Sequence, residues 1–262
     1  MTTQPLITIN HLSKRYAPQT DLILSDINLE IAPGAFQVLL GPSGCGKSTL
    51  LKLISGLIPK TSGAMVLNQH SITGPGKDRG VVFQNAETAL FPWLTVAQNV
   101  AYGPKMNKVA AAECARKVDY YLDLVGLTAH KDKYPTELSG GMLQRTQIAR
   151  VLANEPDLLI MDEPFSALDA QTRTQMQQEL IQIWQQTKKT IIFVTHDIQE
   201  AVLLGTDIAI MTKSPNASIT ANYQVELTYP RAITDARFIT MFEQVNGHFF
   251  PAPIIRPFEV SA

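Results

Sequence analysis

The segment Gly41-Pro42-Ser43-Gly44-Cys45-Gly46-Lys47-Ser48-Thr49 carries the residue types needed to hold a polyphosphate. Its glycines let the backbone curl so that successive N–H groups point inward. A helix opening behind them adds the partial positive charge of its N-terminus. Lys47 brings a cation on a flexible stem that can reach terminal phosphates, and the Ser48 hydroxyl suits Mg²⁺. Phe36, Val38, Leu39 and Leu40 predict a strand before the segment, and Leu50, Leu51, Leu53 and Ile54 a helix after it. That is the strand–GxxxxGK[ST]–helix context of a phosphate-binding loop. A Gly-rich turn without chemistry has no need of this frame, so the pattern predicts a nucleoside triphosphate site.

Two further strands run into reactive side chains. Leu158-Leu159-Ile160-Met161 delivers Asp162 and Glu163 ahead of Pro164, at the strand end where open α/β sheets hold ligands. Asp162 suits the shell of a nucleotide-bound metal, and Glu163 suits a general base acting on water. The other reading is a solvated acidic pair before a proline. Thr190-Ile191-Ile192-Phe193-Val194-Thr195 likewise delivers His196, whose imidazole could meet a phosphate or the attacking water; packing or surface placement is the alternative. Leu138-Ser139-Gly140-Gly141-Met142 precedes a helical run (Ile148, Ala149, Leu152) and makes a second anion-binding helix start. Read plainly, Ser139 is a helix cap.

The elements that must position these groups follow from periodicity. Ile23, Ile27, Leu29 and Ile31 alternate with Leu24, Asp26, Asn28 and Glu30, which predicts antiparallel strand with Leu24 on the wet face. Further strands are expected at 36–40, 64–68 and 79–84. From about 85 to 156 the character is helical: Val118, Tyr121, Leu122 and Val125 recur at helical spacing and stop at Gly126, a C-cap. The wholly apolar runs 158–161, 190–195 and 208–211 suit a sheet covered on both faces. Met176, Leu180, Ile183 and Trp184 form the stripe of a helix between them. From Ser214 the chain is Pro-rich and weakly patterned, with no sign of a second core.

Composition is that of an ordinary globular protein, 45% hydrophobic and 17% charged with net charge −1. That balance gives no electrostatic footprint for nucleic acid or an anionic membrane. Cys45 and Cys114 set no disulfide framework, which favours a reducing cytosol. Met1-Thr2-Thr3-Gln4-Pro5 does not open a signal peptide, and no apolar run is long enough to span a bilayer. Work at a membrane would be through a partner.

With these motifs in order, residues 6 to 245 resemble the ATP-binding subunits of ABC transporters. LSGGM at 138–142 is similar to the family signature, with Met142 where glutamine is usual. LLIMDEP resembles the Walker B strand, Ser166-Ala167-Leu168-Asp169 the D-loop and His196 the switch histidine. Gln84, after Val81-Val82-Phe83, resembles the Q-loop glutamine that reports the γ-phosphate to the membrane partner. Tyr16, in Ser13-Lys14-Arg15-Tyr16, resembles the aromatic that stacks on adenine.

The resemblance implies an α/β fold: a P-loop NTPase core with a mixed, mostly parallel sheet flanked by helices, an N-terminal antiparallel β part and an inserted helical subdomain. The expected division is 1–84 with 157–213 for the core, 85–156 for the helical part and 214–262 for a C-terminal extension. It implies ATP and Mg²⁺ as ligands. ATP would be held by Tyr16, 41–49, Gln84, Ser139, Gly140, Gly141 and Asp169. The metal would be held by Ser48, Gln84 and Asp162, and hydrolysis carried by Lys47, Glu163 and His196. Two copies would sandwich two ATP molecules, each between the phosphate loop of one and the signature of the other.

Leu90 to Val100, with FSALDAQTR and THDIQEAV, is similar to the nitrate/sulfonate/taurine importer group. That implies transmembrane permease partners, indirectly a periplasmic or extracellular substrate-binding protein, and a place at the cytoplasmic face of the inner membrane. Phe91 and Trp93 either anchor the permease in this reading or fill the core of the helical part. The alternatives are an exporter or lipid-transport ATPase, or a soluble ABC ATPase of iron–sulfur assembly, DNA repair or translation. A regulatory protein that binds ATP without turnover is a further one, opposed by Glu163 and His196.

Overall fold

The computed structural model describes residues 4–249. The chain begins with β1 (Ile7–Lys14), β2 (Leu24–Ile31), β3 (Phe36–Leu40), α1 (Lys47–Ile54), β4 (Ser62–Leu67), β5 (His70–Ser71) and β6 (Arg79–Val82). A helical stretch follows: α2 (Ala86–Ala89), α3 (Val96–Met106), α4 (Ala111–Leu124) and α5 (Gly140–Leu152). Then come β7 (Leu158–Asp162), α6 (Ala170–Thr187), β8 (Thr190–Thr195), α7 (Ile198–Leu204), β9 (Asp207–Met211), β10 (Ile219–Gln224) and α8 (Ala236–Phe249). Met1–Thr3 of the expected leaderless start and 250–262 of the expected extension lie outside the described residues.

Among the described residues ten strands make two sheets. The order β2-β1-β4-β5 is antiparallel, and β10-β9-β3-β8-β7-β6 is parallel but for β10. This is the mixed, helix-flanked sheet of a P-loop NTPase. Strands β3 and β8 are buried along their whole length, and β7 all but its last residue. Parallel strands covered on both faces have no wet side on which to alternate. Register then sets the site. Leu40 lies opposite Thr195, and Asp162 opposite Val194, so Gly41, Glu163 and His196 all emerge at one end of the sheet.

The N-terminal alternation is broken where the sequence showed none. Leu24 is fully buried rather than on the wet face. Asp26 takes φ +54°, and the β1–β2 pairing shifts register between Leu12 and Lys14. A bulge inserts an unpaired residue and reverses which face the following side chains take. Leu24 and Ile27 can therefore both point inward.

Strand β6 stops at Val82, so Phe83 and Gln84 lie in a loop beyond it. Helix α4 ends as its pattern implies: Gly126 has φ +66°, and Leu127 N–H bonds Leu122 O at 2.7 Å. A Cβ would resist that left-handed turn, which closes the last carbonyls of the helix.

The weakly patterned region after Ser214 contributes two elements. β10 alternates half-buried and exposed residues at the sheet edge, and α8 packs on α7, burying Phe238 and Val245 in the main core. The described part of this region builds no core of its own: Val225, Phe238 and Val245 join the cluster under the helices, and Ala217 joins the one between the two sheets. Edge strands carry polar residues such as Thr220, Asn222 and Gln224 on their open face, which is why hydropathy alone does not mark one.

Candidate nucleotide-hydrolysis site

The phosphate loop joins the end of β3 to the start of α1. Gly46 has φ +97°, and an added Cβ there would stand 2.8 Å from Leu24 Cδ2. At Gly41 an added Cβ would meet Cys45 Sγ and Met211 O, each at 2.9 Å. Both glycines are thus required for close approach, one to β2 and one to β9. Ser43, Gly44 and Ser48 face outward, and a Cβ at Gly44 would meet nothing within 4 Å.

Lys47 is only 5% exposed, and its Nζ donates to Gly41 O at 2.7 Å and Pro42 O at 3.0 Å. Cys45 Sγ lies 3.8 Å from the same ammonium; burial pushes its thiol pKa up and the Lys47 charge opposes that. Ser48 Oγ donates to Asp162 Oδ1 at 3.1 Å. Burial raises the Asp162 carboxyl above its ordinary range, the Ser48 hydrogen bond opposes this, and the Glu163 charge adds to it.

No group of three or more His, Cys, Asp or Glu that could hold a metal exists among the described residues. One hydroxyl and one carboxylate do suit Mg²⁺, which keeps several waters and takes its other ligands from phosphates. The donor set fits a metal that arrives with its nucleotide. Tyr16, 58% exposed, stands at the rim with its hydroxyl 3.5 Å from Thr49 Oγ1 and Lys14 Nζ 5.1 Å from its ring centre. Its open face is free to stack.

Beyond β7 the chain turns sharply. Glu163 takes φ +43°, a left-handed conformation that costs a residue with a Cβ about 1–2 kcal/mol. The turn is held because Glu163 N–H bonds Val194 O at 3.2 Å, while Ser166 Oγ donates to Glu163 O at 2.9 Å. It brings Glu163 Oε2 within 3.2 Å of His196 Nδ1. Gln84 Nε2 donates to Ser166 Oγ at 3.0 Å, so the loop after β6 is tied to the backbone of Glu163 through one hydroxyl. Gln84 thus bonds Ser166 rather than the Ser48–Asp162 pair.

The remaining expected residues sit elsewhere. Ser139 is exposed and caps α5, accepting from Met142 N at 3.4 Å, as the plain reading has it. Gly141 packs so closely on α6 that an added Cβ would lie 2.9 Å from Thr172 Cγ2. Asp169 caps α6, accepting from Thr172 N at 3.0 Å and Thr172 Oγ1 at 2.6 Å; those bonds hold its carboxyl below the usual range. Among the described residues no hydrogen bond joins Ser139 or Asp169 to loop 41–49.

Trp93 does not fill the core: it is 70% exposed. The loop that displays it is pinned by buried Asn99, whose amide accepts from Phe91 N at 2.9 Å and donates to Phe91 O at 3.1 Å and Leu94 O at 3.0 Å. Phe91 is half-buried between Tyr102, 4.5 Å away, and the Arg150 guanidinium at 4.3 Å.

Three supporting residues went unread in the sequence. Gln147, with its amide oriented to satisfy both ends, pairs with Phe83 N and O at 2.6 and 3.1 Å. Arg173 donates to Phe165 O at 3.3 Å and Leu168 O at 2.8 Å, bracing the D-loop. Gln177 donates to buried Glu200 at 3.0 Å, joining α6 to α7. A polar residue inside an otherwise apolar helix stripe was the available signal for Gln147 and Gln177.

The family profile described as ABC transporter matches residues 24–166. The chain belongs to the ABC transporter family. It is an ATP-binding subunit and an ATPase. The taurine import ATP-binding protein of Roseobacter denitrificans is 47% identical over 212 residues, covering 80% of this chain and 78% of that one. The aliphatic sulfonates import ATP-binding protein of Bacillus subtilis is 44% identical over 245 residues, covering 93% and 94%. Among solved structures, cbiO1 from Clostridium perfringens, part of the ABC transporter complex cbiONQ, superposes with TM-score 0.78 at 29% identity, covering 85% of this chain and 90% of that one.

Proposed function

We propose that this ABC ATPase is the energising subunit of an importer for a small anion of the sulfonate or taurine kind. Two copies would close around two Mg–ATP molecules and so drive a transmembrane permease fed by a substrate-binding protein. The relatives named as importers of taurine and sulfonates support the substrate class. No helix of the described residues is long and apolar enough to cross a membrane. Attachment to the cytoplasmic face of the inner membrane would therefore be through the permease, with the exposed Trp93 and half-buried Phe91 as aromatic anchors.

The observation that carries the dimer is the separation of the two anion-binding helix starts. Loop 41–49, Asp162, Glu163 and His196 gather at one end of the sheet, whereas among the described residues exposed Ser139 bonds only its own helix. A second copy supplies what one copy leaves apart. In the closed site Tyr16 would stack on adenine and Lys47 would hold the β- and γ-phosphates. Ser139, Gly140 and Gly141 of the second copy would approach the γ-phosphate, with Asp169 lining the same interface. Ser48 and Asp162 would hold Mg²⁺, and Gln84 would join them on releasing Ser166. The metal, when bound, neutralises charge building up on the phosphates. Glu163 would take a proton from the attacking water, and His196, held against it, would fix the γ-phosphate.

The test is complementation in a Glu163→Gln background that blocks turnover. A Lys47→Ala chain and a Ser139→Arg chain should each fail alone to form the ATP-bound dimer. Mixed, they create one site with both defects and one with neither, so a heterodimer retaining a single nucleotide should survive rapid desalting. No retained nucleotide in the mixture would mean that Ser139 does not act across the interface.

A further inference from the structure

His196 immediately precedes α7, and α7 is held firmly at both ends. At its start Asp197 accepts from Glu200 N at 3.1 Å, and Thr195 Oγ1 accepts from Asp197 N at 3.1 Å. The helix has seven residues, about 10 Å at the usual rise, and Ala201, Val202 and Leu204 are fully buried. Its last carbonyls would ordinarily go to water or a capping turn. Here they go to two side chains of the segment after β10. Tyr229 Oη donates to Leu204 O at 2.5 Å. Arg231 Nη1 donates to Val202 O and Gly205 O, each at 2.7 Å, and to Leu203 O at 3.4 Å.

Arg231 is unusual in its partners. Among the described residues every hydrogen bond it makes goes to a main-chain carbonyl, the rest to Val225 O and Leu227 O in its own segment. Its guanidinium lies 4.0 Å from the centre of the Tyr229 ring, which meets Trp184 of α6 edge-on at 5.4 Å. Trp184 in turn donates to Gly34 O ahead of β3 at 3.0 Å. A cation at a helix C-terminus also complements the helix dipole. The segment thus anchors the far end of α7 to α6 and to the entry of β3.

We propose that Arg231, with Tyr229, is a positioning residue for His196: by fixing the C-terminal end of α7 it sets how the imidazole faces Glu163. A short buried helix moves as one body, so a shift at Gly205 is carried to Asp197 and His196. The proposal rests on the reading of His196 given above and gives the C-terminal region a part in hydrolysis.

The test uses the full chain with ¹³C-labelled histidine rings. There are five histidines, and the signal lost in His196→Ala identifies the relevant one. In Arg231→Met the His196 ring signal should shift while those of His11 and His70 stay in place. The turnover number should fall on the order of tenfold to a hundredfold, the scale of a misplaced catalytic group, with ATP affinity held within about twofold. Arg231→Lys keeps the charge without the planar fork and should recover only part of the loss. Should Arg231→Met not fold, Tyr229→Phe removes one bond to Leu204 O and should shift the same signal by less.

An unmoved His196 signal in either folded variant overturns the proposal. So does full turnover in Arg231→Met alongside loss in His196→Ala. Full turnover in His196→Ala itself refutes the role assigned to His196, whereas the ring signal still decides whether Arg231 positions it.

Discussion

Replacing Glu163 with glutamine isolates the chemical step from the architecture around it. The amide keeps the length of the side chain and an oxygen that His196 can meet across the 3.2 Å separation, but it cannot take a proton from water. The backbone is not released. The bonds from Glu163 N to Val194 O and from Ser166 Oγ to Glu163 O do not involve the side chain, so the φ of +43° persists. A general base contributes about 10²–10⁴ in rate, which at about 1.4 kcal/mol per decade is roughly 2.7–5.4 kcal/mol of barrier. Stability should stay within about 0.5 kcal/mol, as for a substitution that breaks no buried contact. Loss of one negative charge near the γ-phosphate should also lengthen the life of the ATP-bound dimer.

Single-turnover hydrolysis measures the chemistry, and light scattering with saturating ATP measures the dimer. Glu163→Ala and Glu163→Gly give an internal control on the geometry. Glycine normally costs about 0.5–1 kcal/mol against alanine, but at a left-handed position relief of about 1–2 kcal/mol offsets that. Urea unfolding should therefore find the glycine variant at least as stable as the alanine variant. Hydrolysis by Glu163→Gln within tenfold of wild type refutes the assignment of the base, and a glycine variant clearly less stable than alanine refutes the strained turn.

Trp93→Ala should leave both the melting transition and basal ATPase activity in place, since an exposed site costs within about 0.5 kcal/mol, while pull-down of the permease weakens. A loss of about 3–5 kcal/mol, the scale of an emptied core site, would rule out the anchor role. Asp162→Asn should stabilise the free chain while removing Mg²⁺-dependent turnover. The carboxyl is raised by burial, so its ionised form opposes folding. The advantage of asparagine should be absent at pH below the ordinary carboxylate range, grow as pH rises through the folded-state value, and be complete near neutrality. Chemical unfolding of both proteins across that window checks the sign, and an advantage that shrinks with rising pH would be wrong for a buried carboxyl.

The parallel core was legible because burial on both faces leaves continuous apolar runs, and because phosphate and acid chemistry needs particular side chains where such runs stop. The same logic failed at Leu24, where one bulged residue, Asp26, reversed the inward face of β2. A register shift of one residue leaves no trace in composition. Strand β10 escaped notice because at this edge its residues are only half-buried or exposed, and α8 because its contact is with the short helix α7, distant in sequence. At the site, Lys47, Ser48, Asp162, Glu163 and His196 could be placed from strand ends alone. What could not be read were the ties between them: Gln84 to Ser166, Arg173 to the D-loop carbonyls, and Arg231 to the end of α7. The Gln84 and Arg231 ties link segments far apart in the chain and the Arg173 tie is local, but all three run to a backbone carbonyl or a hydroxyl, groups that every sequence contains.

Those ties bear on how an incoming nucleotide would be felt elsewhere. Lys47, Ser48 and Gln84 each have a protein partner: the carbonyls of Gly41 and Pro42, the Asp162 carboxylate and the Ser166 hydroxyl. If all three engaged Mg–ATP, as proposed, one set of hydrogen bonds would be exchanged for another, so the net gain per contact would be smaller than the contact itself. The exchange is not local at Gln84. Releasing Ser166 removes a restraint on the turn that carries Glu163, and the same loop continues through Phe83, paired with Gln147, toward the surface that displays Trp93. Coupling between two sites is reciprocal in free energy. A partner that moves the Phe83–Trp93 surface must therefore alter nucleotide affinity by the same factor that nucleotide alters the partner's.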